Sequence, residues 1–128
     1  MKKLLFILSV LSLISCKKEE DKKESLYPEK TLSAEEKQLQ LGEEIFNGKG
    51  MCYSCHKPDQ KVIGPSIKQI AEIYKAKNAD IKLFLQEKSE PIVDPSQYLV
   101  MKTNLTITKT FSDEELKAVE AYFYSHLK

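Results

Sequence analysis

Two cysteines and a histidine stand together near the middle of the chain, in the run Cys52-Tyr53-Ser54-Cys55-His56. Two thiols three residues apart, followed at once by an imidazole, have the spacing of a c-type haem attachment site. The thiols can add to the two vinyl groups of haem, and the adjacent imidazole can then bind the iron. The spacing therefore predicts one covalent haem c held by Cys52 and Cys55, with His56 as an iron ligand.

The first residues of the chain have the features of an export signal. Two lysines follow Met1, and an apolar run over residues 4–14 is too short to span a membrane as a mature helix. The run ends at Leu13-Ile14-Ser15-Cys16, which resembles the lipobox of bacterial lipoproteins. In that family the leader is removed before the cysteine, which is then acylated. The resemblance implies a lipoprotein signal peptide over residues 1–15 and a lipid anchor on Cys16. The alternative is an ordinary signal peptide or an uncleaved anchor.

The segment that follows Cys16 is highly charged and contains almost no apolar side chains. Such a composition cannot bury enough surface to fold, so residues 16–32 are predicted to be a lipidated tether. Residues 33–128 then form the single folded domain. Acylation would place the protein in the cell envelope, bound to the membrane through its lipid anchor, with the haem domain facing the periplasm.

The charge balance gives no sign of a nucleic-acid partner. The chain has no arginine, and removal of residues 1–15 leaves 18 lysines against 19 acidic residues, a formal charge of −1. A nucleic-acid-binding domain is expected to carry a basic excess, so no nucleic acid is predicted as a partner.

Other interpretations of the two cysteines stay open from the residues alone. A structural zinc site needs about four ligands, and beyond this motif and Cys16 only His126 and carboxylates remain. A thioredoxin-like pair would follow a strand in a βαβ pattern, whereas the preceding segment has a helical pattern. A disulfide is compatible with an exported chain.

The helical signals are strong at both ends of the domain. Capping boxes begin at Ser33 and Ser112, and each is followed by apolar residues at helical spacing. Asn47-Gly48 is expected to end the first helix. Shorter helices are predicted over 67–75 and 79–87, with a loop marked by Pro91 and Pro95. Apart from a weak strand hint over 105–107, the pattern predicts an all-α fold.

The order of these motifs resembles class I cytochrome c over nearly the whole domain. Gly42 and Phe46 precede the cysteine motif, Gly64-Pro65 follows it, and a methionine and an aromatic helix come last. The resemblance implies N- and C-terminal helices that cross around a covalently bound haem. It also implies that the carbonyl of Pro65 accepts a hydrogen bond from Nδ1 of His56, which leaves Nε2 for the iron.

The resemblance also implies a sixth ligand from a loop before the last helix. Met101 lies in that stretch, and it is not followed by the proline common in the family. Met1 leaves with the leader, and Met51 adjoins the attachment motif and cannot easily reach over the ring. His126 is the alternative ligand, although its place near the end of the last helix favours a helix-terminus role. Met101 is therefore the predicted distal ligand, which makes His56 and Met101 the iron ligands.

Iron with both axial positions filled has no ready place for a substrate, which favours electron transfer over catalysis. The chain is therefore predicted to be no enzyme but an electron carrier between redox proteins, as a monomer or a subunit of a complex. Two alternatives are a haem sensor or gas binder with five-coordinate iron, and a haem-free thiol–disulfide protein. Lys82, Lys88, Lys102 or a tyrosine could neutralise the haem propionates, and the sequence does not choose among them.

Overall fold

The computed structural model describes residues 31–128. The predicted signal peptide, Cys16 and nearly all of the predicted tether lie outside the described residues. Five α-helices make up the described part: α1 (Ala34–Asn47), α2 (Ile67–Ala76), α3 (Ile81–Leu85), α4 (Tyr98–Thr108) and α5 (Asp113–Ser125). Single turns of 3-10 helix occur at Cys52–Ser54 and Pro95–Gln97. No strand occurs within 31–128, where one isolated bridge joins His56 to Lys61. The all-α prediction is therefore confirmed.

Both predicted capping boxes are present, and they set where α1 and α5 begin. The hydroxyl of Ser33 accepts from the backbone N–H of Glu36, whose carboxylate accepts in return from the N–H of Ser33. Ser112 and Glu115 make the same reciprocal pair at α5. Each box satisfies two backbone donors that the helix itself leaves unpaired, so the sequence signal and the structure agree.

Helices α1 and α5 pack directly against each other at Gly42. A Cβ built on Gly42 would overlap the carbonyl oxygen of Ala118 and lie 2.7 Å from the Cβ of Tyr122. Only glycine allows this approach. One turn further along α1, the Phe46 ring packs against Tyr122 and Phe123, with centroid separations of 5.3 and 6.0 Å. The predicted crossing of the terminal helices is thus observed.

Two intermediate elements differ from the sequence-based expectations. The helix expected over 79–87 is limited to α3, because the Asp80 carboxylate caps the backbone N–H groups of Lys82 and Leu83 and fixes the start. The stretch around Met101, expected to be a loop, is the helix α4, and the strand hint over 105–107 was wrong for the same reason. Leu105 and Thr108 are buried on one side of α4, so tertiary packing decides its conformation.

The core lies between the helices and beside the cysteine motif. Its almost fully buried residues include Ile67 of α2, Leu105 of α4, and Leu116 and Val119 of α5. Within 31–128, none of the helices combines the length and the apolar character needed to cross a bilayer.

Candidate functional site

The predicted site residues lie around one cavity of about 510 Å³. Its volume falls within the range of about 300–1,000 Å³ that is typical of cofactor sites. Most of the lining is apolar; about half of the lining residues come from helices α2 to α5, and the others come from the cysteine turn and the loops. The cavity is lined by all five residues that the sequence singled out for haem: Cys52, Cys55, His56, Pro65 and Met101.

The two cysteines are placed by a single turn of 3-10 helix. The N–H of Cys55 donates to the carbonyl of Cys52 at 3.1 Å, which brings both side chains to the cavity wall. Both are free thiols. Burial raises the pKa of the Cys52 thiol to about 11, with a smaller opposing effect from a backbone hydrogen bond. Redox-active thiols need a lowered pKa, so the dithiol interpretation finds no support in this environment.

His56 follows the turn and is held by the loop that leads to α2. Its Nδ1 lies 2.7 Å from the carbonyl oxygen of Pro65. Because a carbonyl only accepts, Nδ1 carries the proton and Nε2 keeps its lone pair, as a histidine ligand requires. Burial lowers the pKa of the imidazole, with a smaller opposing effect from the Pro65 bond. This favours the neutral ring, the form that binds a metal.

The loop backbone is shaped around the His56 ring. The N–H of Gly64 donates to the carbonyl of Cys55 at 2.9 Å, which closes the loop. A Cβ on Gly64 would lie 2.5 Å from Cε1 of His56. The imidazole therefore packs directly against the glycine backbone, a contact that the sequence motif Gly64-Pro65 did not by itself reveal.

Met101 reaches the cavity from α4 rather than from a loop. Asn104 stands three residues later, nearly one helical turn away, and also lines the cavity. Its amide donates to the carbonyl of Gly50 at 3.1 Å, which ties α4 to the segment before Cys52. The role of Asn104 was missed because α4 was not predicted to be helical. A prediction of helix for the stretch around Met101 would have placed Asn104 next to Met101 on one helical face.

The two competitors for the sixth position are also placed by the structure. Met51 lines the cavity but is 53% exposed and directly precedes the cysteine turn. Its N–H bonds back to Gly48, and its backbone has φ 51°. His126 is not part of the cavity lining; it ends α5, where its Nδ1 lies 2.9 Å from the carbonyl of Tyr122. The helix-terminus position expected for His126 is therefore observed.

Few charged side chains line the cavity. Asp94 is its one charged carboxylate among the described residues, and it accepts from Ser96 at 2.6 Å and from Lys61 at 3.3 Å. These two contacts hold the Asp94 pKa below its usual range. No lysine lines the cavity in this part of the chain. Lys82 is instead paired with Asp80 and Glu120, and Lys102 with Glu87.

The residues present fit a covalently bound haem. Two free thiols, a neutral imidazole with its Nδ1 occupied and a thioether share one apolar cavity. Soft sulfur and imidazole donors suit haem iron. A zinc site is not supported, because residues 31–128 contain no cluster of three or more His, Cys, Asp or Glu side chains arranged around a metal position.

Comparison with known proteins agrees with this geometry. The family model described as Cytochrome c matches residues 39–126, a span that includes most of α1, all of the cavity motif and all of α5. None of the curated proteins compared with the chain gave a significant match. The matched span is more than half of the 128 residues. The chain therefore belongs to the cytochrome c family, as a class I monohaem cytochrome that carries covalent haem c with its iron and transfers electrons.

Proposed function

We propose that this cytochrome is a membrane-tethered shuttle that passes single electrons between redox proteins of the cell envelope, with His56 and Met101 as axial ligands. The observation that carries the proposal is the placement of both side chains in the cavity that holds Cys52 and Cys55. Bound haem supplies the one-electron chemistry by alternating between iron(III) and iron(II).

The protein's own residues supply position and environment for that chemistry. Cys52 and Cys55 hold the ring, and Pro65 fixes the tautomer and orientation of His56 through Nδ1. Met101 fills the position that an oxygen molecule or a substrate would need, and its thioether raises the iron potential. The apolar walls would limit the access of water to a bound iron and so tune its redox potential.

The test of axial ligation is an absorption spectrum of the full chain, produced with a cytochrome c maturation system and measured oxidised and reduced. We expect a covalent c-type spectrum and the far-red band of a methionine–iron(III) bond. Met101→Ala should abolish that band, whereas Met51→Ala, the matched control on the same cavity, should retain it. Retention of the band in Met101→Ala would contradict Met101 as the ligand. Absence of the band from the wild type, together with ready binding of carbon monoxide, would favour the five-coordinate sensor.

The proposed tether is tested separately, because Cys16 lies outside the described residues. The lipobox resemblance and the charged segment 16–32 support it. We expect the wild-type protein to incorporate labelled fatty acid and Cys16→Ala to incorporate none, with the same haem spectrum in both. Absence of label from the wild type would contradict a lipid anchor on Cys16 and leave electron transfer untouched.

A further inference from the structure

Helix α4 is weakly specified by its own sequence. It has no side-chain cap at its N-terminus, and Val100, Ile107 and three threonines are poor helix formers. Leu99, in its first turn, is 80% exposed. The position of α4, and with it that of Met101, must therefore be set by contacts with other elements.

The Glu87 carboxylate, which lies outside α4, contacts two side chains of α4 and that of Lys109, the residue that caps the C-terminus of the helix. Oε2 of Glu87 accepts from Lys109 at 2.6 Å, while Oε1 accepts from the hydroxyl of Tyr98 at 3.4 Å and forms an ion pair with Lys102 at 3.1 Å. Residues 98, 102 and 109 fall on one face of the helix at 3.6 residues per turn. The bond from Lys109, followed by that from Lys102, lowers the pKa of Glu87 to about 2.

The backbone of Glu87 is itself fixed in an uncommon conformation. Its φ of 59° is left-handed, at the position just after α3 where glycine or asparagine is usual. The N–H groups of Glu87 and Lys88 bond to the carbonyls of Phe84 and Leu83, each at 2.8 Å, which is a Schellman motif. Asn78 holds the corresponding place after α2. The carboxylate of Glu87 therefore projects from a rigid turn.

Two further hydrogen bonds fix the position of α4, and one of them reaches the end of α3. The buried hydroxyl of Thr108 donates to the carbonyl of Leu85 at 2.6 Å, two residues before Glu87. Asn104 ties the same helix to Gly50, beside the cysteine turn. Met101 directly precedes Lys102, so it lies within the stretch that Glu87 holds from Tyr98 to Lys109.

We propose that Glu87 is a positioning residue for the axial methionine, fixing α4 through Tyr98, Lys102 and Lys109 so that the Met101 thioether stays at the iron. The inference rests on the proposed ligation by Met101. The carboxylate does not line the cavity and acts through the helix alone. Loss of its charge should let α4 shift, which weakens the methionine–iron bond more than it weakens the fold.

The test compares Glu87→Gln with Glu120→Gln in the full-length ferric holoprotein. Glu120 is a matched control because it pairs with Lys82 between α5 and α3, and its ion pair does not involve α4. Their side chains have similar exposure, 22% for Glu87 and 20% for Glu120. Titration with imidazole, followed by loss of the far-red band, measures how easily the thioether is displaced. Urea unfolding measures the stability of each variant.

We expect imidazole to bind Glu87→Gln about fivefold more tightly than wild type, the upper end of what a partly exposed ion-pair network contributes. Lys109→Gln should reproduce much of that change, and Glu120→Gln should match wild type. Equal imidazole affinity in all four proteins would overturn the inference. An increase in imidazole affinity in Glu120→Gln as large as that in Glu87→Gln would also overturn it. Absence of the far-red band in the wild type would instead overturn the proposed ligation, so the two failures are distinguishable.

Discussion

The smallest unit of the site is the contact between the His56 ring and the backbone of Gly64. Gly64 does not have a positive φ, so alanine is allowed there by the backbone. Its Cβ would nevertheless lie 2.5 Å from Cε1 and 2.9 Å from Nδ1 of His56. Any effect of Gly64→Ala therefore reports displacement of the imidazole rather than strain in the turn.

We expect Gly64→Ala to move the ring, disturb the 2.7 Å bond to Pro65 and cost about 1–3 kcal/mol of unfolding free energy. The ferric electron paramagnetic resonance spectrum should change, because it is sensitive to the orientation of the axial imidazole. Gln60→Ala, in the same loop and exposed, serves as the control and should match wild type. An unchanged spectrum in Gly64→Ala would mean that the loop yields while the ring stays in place.

At the scale of elements, the crossing of α1 and α5 depends on Gly42. We expect Gly42→Ala to cost about 3 kcal/mol or more, because its Cβ would meet the backbone of Ala118, which cannot rotate away. At an exposed helical site the same change would stabilise the protein by about 1 kcal/mol. The sign of the change in unfolding free energy therefore shows whether Gly42 lies in a packed helix crossing. Denaturant unfolding of the holoprotein checks this, with exposed Lys37→Ala on α1 as the control. A neutral or stabilising Gly42→Ala would contradict the packed crossing.

How far the sequence predicts these elements depends on where their stability originates. Ser33 and Ser112 carry local capping chemistry, so the starts of α1 and α5 follow from short motifs. The region around Met101 has no such signal; the loop expected there rested on the family resemblance, and residues 105–107 gave only a weak strand hint. Its helical form comes from burial of Leu105 and Thr108 against distant residues, which a local pattern does not contain.

The site shows the same division between local and long-range information. The haem attachment motif is recognisable because two thiols and one imidazole lie within five consecutive residues, at Cys52, Cys55 and His56. The contacts of Glu87 with α4 span 11 to 22 residues, and that of Asn104 with Gly50 spans 54. Such contacts depend on the folded topology, so spacing along the chain could not have predicted them.

For the molecule as a whole, several surface carboxylates link stability to pH. Ion pairs with lysines lower the pKa of Glu87 and of Glu115, where Lys49 is the main partner. A carboxyl whose pKa is depressed in the folded state binds fewer protons there than in the unfolded chain. For Glu87, the contribution is therefore complete above the ordinary pKa near 4.5 and is lost as the pH falls toward about 2.

This predicts a pH-dependent difference between wild type and Glu87→Gln. The wild type should be more stable at pH 6–7, and the difference should shrink as the pH drops through about 4.5, since protonated Glu87 resembles glutamine. Urea unfolding of both holoproteins at several pH values measures it. Added salt should reduce the difference, because the ion pairs are partly exposed. A difference that grows on acidification would contradict the depressed pKa.

Stability of the whole domain is expected to depend on the haem. Without haem, the largely apolar walls of the cavity of about 510 Å³ would face water instead of the ring. The helices that form these walls would then lose much of the apolar burial that holds them together. We therefore expect Cys52→Ala/Cys55→Ala, purified without haem, to lose cooperative unfolding and much of its helical circular dichroism. Met101→Ala, which keeps both thioether bonds, should stay cooperative. A haem-free double variant as stable as the holoprotein would show that the helices pack without the cofactor, with Ile70, Ile81 and Phe123 collapsing into its space.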